Sequence, residues 1–395
     1  MSNFVSATNG ELQDIYLNWN EFEKIDNFVG NRLWMMGMNP DGQMGNNGPV
    51  NVSRSSPIQT VSGGTNWRQI LVTEQFTLGA LKTDGTLWTW GRNQYGQLGT
   101  NDRINRSSPV QVVGNATNWK QISSTGEGIS AIKTDGTLWL WGRNNNAQLG
   151  DNTIITRSSP VQIFGGGTNW RQTGGRMAIK TDGTLWTWGN NSRGELGDNT
   201  TIARSSPVQV FGGGTNWKQA VMGGASFNGV DGCAAAIKTD GTLWTWGRNE
   251  TGQLGLNDRT PRSSPVQILG GGTNWRSISG ASWHLSAIKT DGTLWLWGRN
   301  QYGQLGTNDI VHRSSPVQVL GGGTNWKSVP PVTLANCTGA LKTDGTLWFW
   351  GFNSYGGFGA NDRIHRSSPV QTVVRGNNWK EVCVGNVCGA ITFMD

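Results

Sequence analysis

The sequence predicts an all-β propeller, a single closed ring of four-stranded repeat units, and three observations carry that prediction. The stretch KTDGTLWTWG at Lys82 to Gly91 returns nearly unchanged at Lys133, Lys180, Lys238, Lys289 and Lys342. A period of roughly 50 residues marks stacked supersecondary units, none able to bury its apolar face without a neighbour. Each copy also places an Asp-Gly pair between two apolar stretches, a strong short hairpin signal. Finally, the C-terminus supplies one half of a unit (NWKEVCVGNVCGAITFMD) and the N-terminus the other half (NRLWMMG and PIQTV), so one blade is shared between the chain ends.

Seven copies laid over one another give NW(K/R)QI, a variable stretch, GAIKTDGTLWTWG, RNxxGQLGxND, RSSPVQV and GGGT. WKQI reads as strand A and GAIK as strand B. The Asp84-Gly85 pair reads as a type I′ turn, because Asn, Asp and Gly best tolerate the positive φ that both central positions need. TLWTWG is strand C, where Trp88 and Trp90 lie two apart and therefore on one face, expected to meet another blade. PVQV is strand D, with Pro at its first position, where a missing N–H does least harm. Twenty of the 22 tryptophans occupy repeat positions and are expected to form much of the core between blades.

Charged residues make up 14% of the chain, against about 25% in an average protein. The net charge of +7 suggests nucleic acid until the cations are sorted, for 24 of the 32 Lys and Arg recur at fixed repeat positions. A nucleic-acid footprint clusters on one face, whereas these cations are spread through every unit. Cys233, Cys337, Cys383 and Cys388 lack the spacing of a metal site and read as buried thiols. With three His, no nucleophile-base spacing and no phosphate loop, no catalytic residue, metal or cofactor is expected. The start, MSNFVSATNGELQDIY, does not resemble a secretory signal, and no apolar run is long enough for membrane insertion.

The DG turn, the following WG and the GQLG loop, here Asp84, Gly85, Trp90, Gly91, Gly96, Gln97, Leu98 and Gly99, resemble the regulator of chromosome condensation repeat family. The resemblance extends over residues 32 to 395 and implies a seven-bladed β-propeller. The family often has a His-Thr or His-Ser pair before strand B; this chain keeps only His284 there. The near-identical units and Asn-rich loops are most similar to copies encoded by tailed bacteriophages and marine bacteria.

Anchor spacings show where the units differ. From the Arg of RSSP to the Trp of NW the offset is 13 throughout, and from the Lys of KTDG to the Gly of WG it is 9. From the Trp of NW to the Lys of KTDG it runs 15, 14, 10, 21, 14 and 16. Nearly all length variation thus lies in the A-to-B connection. A smaller variable region is the tip of the C-to-D connection, and in an antiparallel meander both connections leave on the same side. That side is the expected partner-binding face, with Phe76, Arg176, Met177, Phe227, Trp283, His284 and Leu334 from the A-to-B loops. Ile104, Ile155, Arg259, Val311 and Ile364 join them from the C-to-D tips. Aromatic residues and Arg are favoured anchors at interfaces. His284, Cys233 and Cys337 stand at equivalent positions five before Lys, where an inward orientation is the alternative reading.

Residues 1–28 fall outside the propeller of 29–395. Leu12, Ile15, Tyr16, Trp19 and Phe22 recur at helical spacing, as in a short amphipathic helix that packs on the rim or serves as an attachment segment. The expected function is a non-enzymatic virion surface or fibre component. Its variable face would recognise a protein or surface-glycan partner on a host, or virion assembly proteins. The alternative is a cytoplasmic protein- or nucleic-acid-binding adaptor of nucleotide-exchange or chromatin type.

Overall fold

Short apolar runs between glycine-containing turns make each repeat a meander of four brief strands. The computed structural model describes residues 31–392, except 62–63, 75, 224–231, 282, 331–335, 374–376 and 386. In blade 1 strand A is Trp67–Val72, B is Thr77–Lys82, C is Leu87–Gly91 and D is Arg106–Gln111, paired in that order. Seven such antiparallel sheets form the propeller, A innermost and D outermost. The seventh sheet has the expected shared composition, in the order Arg54–Gln59, Arg32–Gly37, Val387–Thr392 and Trp379–Cys383. Its central pairing runs in register from Arg32 opposite Thr392 to Gly37 opposite Val387. Trp34 Nε1 donates to Thr392 Oγ1 at 3.2 Å across the same junction.

Both chain ends therefore leave the ring on the side of the B-to-C and D-to-A turns. Asn31 donates its backbone N–H to Thr65 O at 2.5 Å there. The candidate attachment residues Leu12, Ile15, Tyr16, Trp19 and Phe22 lie outside the described residues.

Three local expectations are corrected. The B-to-C turn is not type I′. Gly85 N donates to Lys82 O (3.1 Å), Lys82 N donates to Thr86 O (3.0 Å), and Gly85 has φ +79°, while Asp84 does not enter the positive-φ region. This is a longer turn closed by a left-handed glycine, and the Asp84 carboxylate accepts from Thr86 N and Oγ1 (2.9 and 2.7 Å). Strand D begins at Arg106 rather than at the proline, and Pro109 sits inside it. The strand tolerates it because D is an outer edge and its pairing is irregular just there, between Thr89–Val110 and Gly91–Arg106. The paired tryptophans also divide their work. Trp90 is fully buried against the preceding blade, whereas Trp88 is half-buried within its own blade. Lys82 Nζ lies 4.8 Å from the Trp67 ring and 4.5 Å from the Trp88 ring. In the seventh blade Thr392 stands where that lysine would be.

The core consists of seven clusters, each shared by neighbouring blades, such as Leu33 and Met35 with Trp67, Ile70, Leu78 and Trp90. The indole of Trp90 donates to Gln43 O in the preceding blade (2.8 Å), Trp141 to Gln97 O (2.9 Å) and Trp297 to Gln253 O (2.9 Å). Gly99 makes room for this contact. Its φ is +67°, and a Cβ there would lie 2.7 Å from Trp141 Nε1. At the seam the pattern changes: Met36 takes the tryptophan place, and Phe358 of the preceding loop stacks on Phe349 with centroids 5.7 Å apart.

Deleting residues 379–395 removes two strands of the shared blade. The expected outcome is a lower and less cooperative thermal transition by circular dichroism; melting unchanged from the full chain would disprove the closure. Gly99→Ala adds strain and a clash at a fully buried joint, so chemical denaturation should show a loss of about 1–3 kcal/mol.

Candidate partner-binding face

The geometry of the variable face begins with one backbone bond that recurs around it. The residue before strand B offers its carbonyl to the N–H of the residue after WG: Arg92 to Phe76 (3.2 Å), Arg143 to Glu127 (3.1 Å), Arg299 to Trp283 (2.9 Å) and Phe352 to Asn336 (2.9 Å). In blade 3 Arg176 O accepts instead from Trp188 N at 3.2 Å. A fixed main chain thus presents a different side chain in each blade.

Those side chains make different local environments. Glu127 pairs with Arg143 at 2.5 Å, and the same guanidinium lies 4.9 Å from the Tyr95 ring. Trp283 is flanked by Arg248 at 4.0 Å and Arg299 at 5.0 Å, two cations on one indole, with Glu250 bonded to Arg248. Burial first, and the neighbouring Arg248 charge as well, lower the pKa of Arg299, opposed by Tyr302. Phe76 is half-buried at φ +57° and packs with Met38 in the cluster shared by blades 7 and 1.

The C-to-D tips are held by an Asn hub. Asn93 Nδ2 donates to Asp102 Oδ1 (3.0 Å) and Ile104 O (3.1 Å), and its Oδ1 accepts from Leu98 N (2.9 Å). Arg106 closes the loop on Asp102 at 2.7 Å, and Arg262, Arg313 and Arg366 likewise pair with the Asp four residues before them, while Arg157 and Arg204 pair with an Asp six residues before. These pairs occupy six repeat arginines. The tips themselves project: Ile104, Ile155, Val311 and Ile364 are 55 to 63% exposed, and Arg259 is exposed beside them.

Other candidates do not reach the surface. Met177 and His284 open strand B in their blades and are buried, since that position points between blades. His284 Nε2 meets Thr338 Oγ1 of the next blade at 2.9 Å, and burial pushes its pKa down to about 4. Arg176 is also buried, drawn inward by the short A-to-B connection of blade 3. Cys233 and Cys337 share the position of His284, and burial pushes the Cys233 thiol up to about 12. Phe227 and Leu334 lie outside the described residues.

Two features were missed by the sequence reasoning. Tyr302, Phe352 and His365 form an aromatic cluster across blades 5 and 6, with centroids 4.8 to 5.5 Å apart. The signal was the replacement of Arg after WG by Phe352. His312 and His365 accept backbone N–H groups at Nδ1 (3.0 and 2.9 Å), which leaves Nε2 as the protonated nitrogen of the neutral ring. Second, the side carrying the chain ends is less uniform than the repeated KTDG and GGGT suggest. Val61, Val113, Phe164, Phe211, Leu269 and Leu320, each two residues past the end of its strand D, are about half exposed. Among the described residues no group of His, Cys, Asp and Glu could hold a metal ion, and no helix is long and apolar enough to cross a membrane.

Fold and site together define a seven-bladed β-propeller that presents dissimilar side chains on one end of an otherwise repetitive ring. The regulator of chromosome condensation (RCC1) repeat matches residues 84–132, 135–173, 182–229, 240–288 and 291–338, and the chain belongs to that family. It is 29% identical over 359 residues to the ultraviolet-B receptor UVR8 of Arabidopsis thaliana, covering 87% of this chain and 66% of the receptor. It is 34% identical over 139 residues to human protein RCC2, covering 33% of this chain and 25% of that protein. The chain thus spans less than two thirds of the length of these relatives. Among solved structures, Prp20p of Saccharomyces cerevisiae superposes with a TM-score of 0.77 at 18% identity, covering 97% of each chain.

The buried His284 yields a pH prediction. Its folded pKa lies below the usual value of 6.5, so its contribution to stability is present above that pH and is lost as pH falls towards 4. The loss should reach about 3 kcal/mol, and His284→Gln should remove this component from the pH dependence of thermal unfolding.

Proposed function

We propose that the chain is a non-catalytic binding propeller of a virion surface or fibre, which recognises a host or assembly partner through the variable face. The carrying observation is a division of labour between the two ends of the ring. The side chains that differ from blade to blade gather at the A-to-B and C-to-D end, while both chain ends leave at the opposite end. A rigid scaffold that varies only its loops on one side is suited to recognition. The exposed apolar residues after strand D lie on the side where the chain ends emerge, and they suit attachment to a larger assembly.

The binding contacts are assigned to Phe76, Trp283 and Arg259 and to the tips Ile104, Ile155, Val311 and Ile364. The partner is a protein or a surface glycan. An intracellular adaptor is the second reading. It is favoured by family membership and by the fold shared with Prp20p, a protein that binds Gsp1p and histones. Pairing of the repeat arginines with Asp weighs against a broad nucleic-acid footprint.

Mass spectrometry of purified particles tests the proposal: the chain should be present in stoichiometric amount, and its absence would overturn the virion reading. Co-purification with DNA at moderate salt would support the adaptor instead. Replacing Ile104, Ile155, Val311 and Ile364 together by Ser should weaken attachment of the particle to its host by roughly tenfold or more. Each exposed substitution should change stability by no more than about 0.5 kcal/mol, as measured by thermal melting.

A further inference from the structure

The innermost strand of every blade leaves one row of backbone N–H and C=O groups without a strand partner, facing the channel. In four blades a glutamine from the preceding blade covers it. Gln69 donates to Ile122 O at 3.0 Å and accepts from Ile122 N at 3.1 Å. Gln121 does the same to Thr173 (3.4 and 3.2 Å), Gln172 to Ala220 (2.9 and 3.0 Å) and Gln219 to Ile278 (3.0 and 3.1 Å). A primary amide carries one donor and one acceptor side by side, so it imitates a missing strand one residue long.

The remaining three positions break the pattern. By strand register, Gln69 opposite Leu81 corresponds to Ser277 opposite Ile288, Ser328 opposite Leu341 and Glu381 opposite Ile391. The serines are too short to span the gap. Glu381 has the reach of glutamine, and its target is Ile70 of blade 1, at the seam where the C-terminal strand A meets the first complete blade. An ionised carboxylate can accept from Ile70 N, but it brings a second negative oxygen against Ile70 O. Among the described residues no such pair of bonds joins Glu381 to Ile70. A protonated carboxyl has the donor and the acceptor that glutamine has.

We propose that Glu381 is a proton-dependent clasp, which in its neutral form bridges to the Ile70 backbone as the glutamines do and ties the last blade to the first. Its surroundings favour the neutral form. The side chain is half-buried at the channel wall, and burial raises its pKa to about 7, against opposing effects of Lys327 on the preceding blade and Lys380 beside it. From blade 1, Arg68 is directed away, to Trp119 O (3.2 Å) and Lys120 O (2.9 Å) of blade 2. On its own strand the Cys383 thiol is raised by burial and, to a lesser extent, by the Glu381 charge. A folded pKa above the usual 4.5 means that the clasp's contribution is complete below that pH and is lost as pH rises through about 7.

The test compares the intact wild-type chain with Glu381→Gln. Glutamine keeps the bridge at every pH, so the variant should melt with wild type at about pH 4 and above it at about pH 8.5. The protection factor of the Ile70 amide in hydrogen exchange should fall by roughly tenfold or more across this range in wild type and stay constant in the variant. His284 titrates in the opposite sense but is common to both chains, so it cancels in the comparison. A variant that is no more stable than wild type at high pH would overturn the proposal. So would a Glu381 carboxyl midpoint near 4.5 in carbon-13 NMR of the wild-type chain, which needs no mutation.

Discussion

The bond from a buried indole to the backbone of the preceding blade is the constraint on which the propeller depends. Trp90, Trp141, Trp188, Trp246, Trp297 and Trp350 each donate to a carbonyl in the C-to-D loop behind them, at 2.8 to 2.9 Å. Leaving such a buried donor unpaired costs about 1–3 kcal/mol, so the loop must return to the same place in every unit. This explains the invariant spacings better than the hairpin does. The indole needs Gly99 and its equivalents beneath it, and the close approach of the Thr117 carbonyl, 2.1 Å from where a Cβ would lie, needs glycine at Gly85. Residues on both sides of the joint are thereby fixed in type and in number.

The A-to-B connection escapes that constraint. Its remaining obligation is the carbonyl before strand B, which any residue can supply, so the side chain there is free to be Phe76, Glu127, Trp283 or Asn336. Length is free for the same reason. The contrast is chemical: the interior of the repeat is specified by side-chain packing, and the face by a main-chain contact indifferent to the side chain. Candidate recognition residues collect where folding demands least of them.

Much of the architecture was legible because it follows from periodicity. The four strands, the shared blade and the location of the variable loops need only spacing and the alternation of side chains. Finer features depend on what a neighbouring blade does. The turn type is set by Gly85 fitting under Thr117, not by the Asp-Gly pair alone. The start of strand D depends on an edge that tolerates Pro109. Counting back from Lys could not tell inside from outside: Phe76 lies one position before strand B and remains at the surface, while Met177 and His284 lie within it and are buried. The cluster of Tyr302, Phe352 and His365 joins residues of two blades, so the replacement of Arg by Phe352 in one repeat does not reveal it until Tyr302 of the neighbouring blade is placed beside it.

Departures from the repeat concentrate at the seam, and closure gives the reason. Elsewhere a blade and its successor come from adjoining stretches of chain, so one set of residues serves every joint. The last blade is assembled from strands about a whole chain length apart, held by six backbone pairs between Arg32–Gly37 and Val387–Thr392. Its side chains then need to fit each other rather than the repeat. Met36 replaces the indole, Phe358 with Phe349 fills the volume it leaves, and Thr392 replaces lysine and receives the Trp34 indole bond. Glu381 belongs to the same series. A residue that must cover the edge of the first blade sits on the last strand A of the chain, and its charge is the one property that distinguishes it from the glutamines that do so elsewhere. Repetition therefore accounts for how the blades stack, while the exceptions to repetition account for how the ring ends where it began.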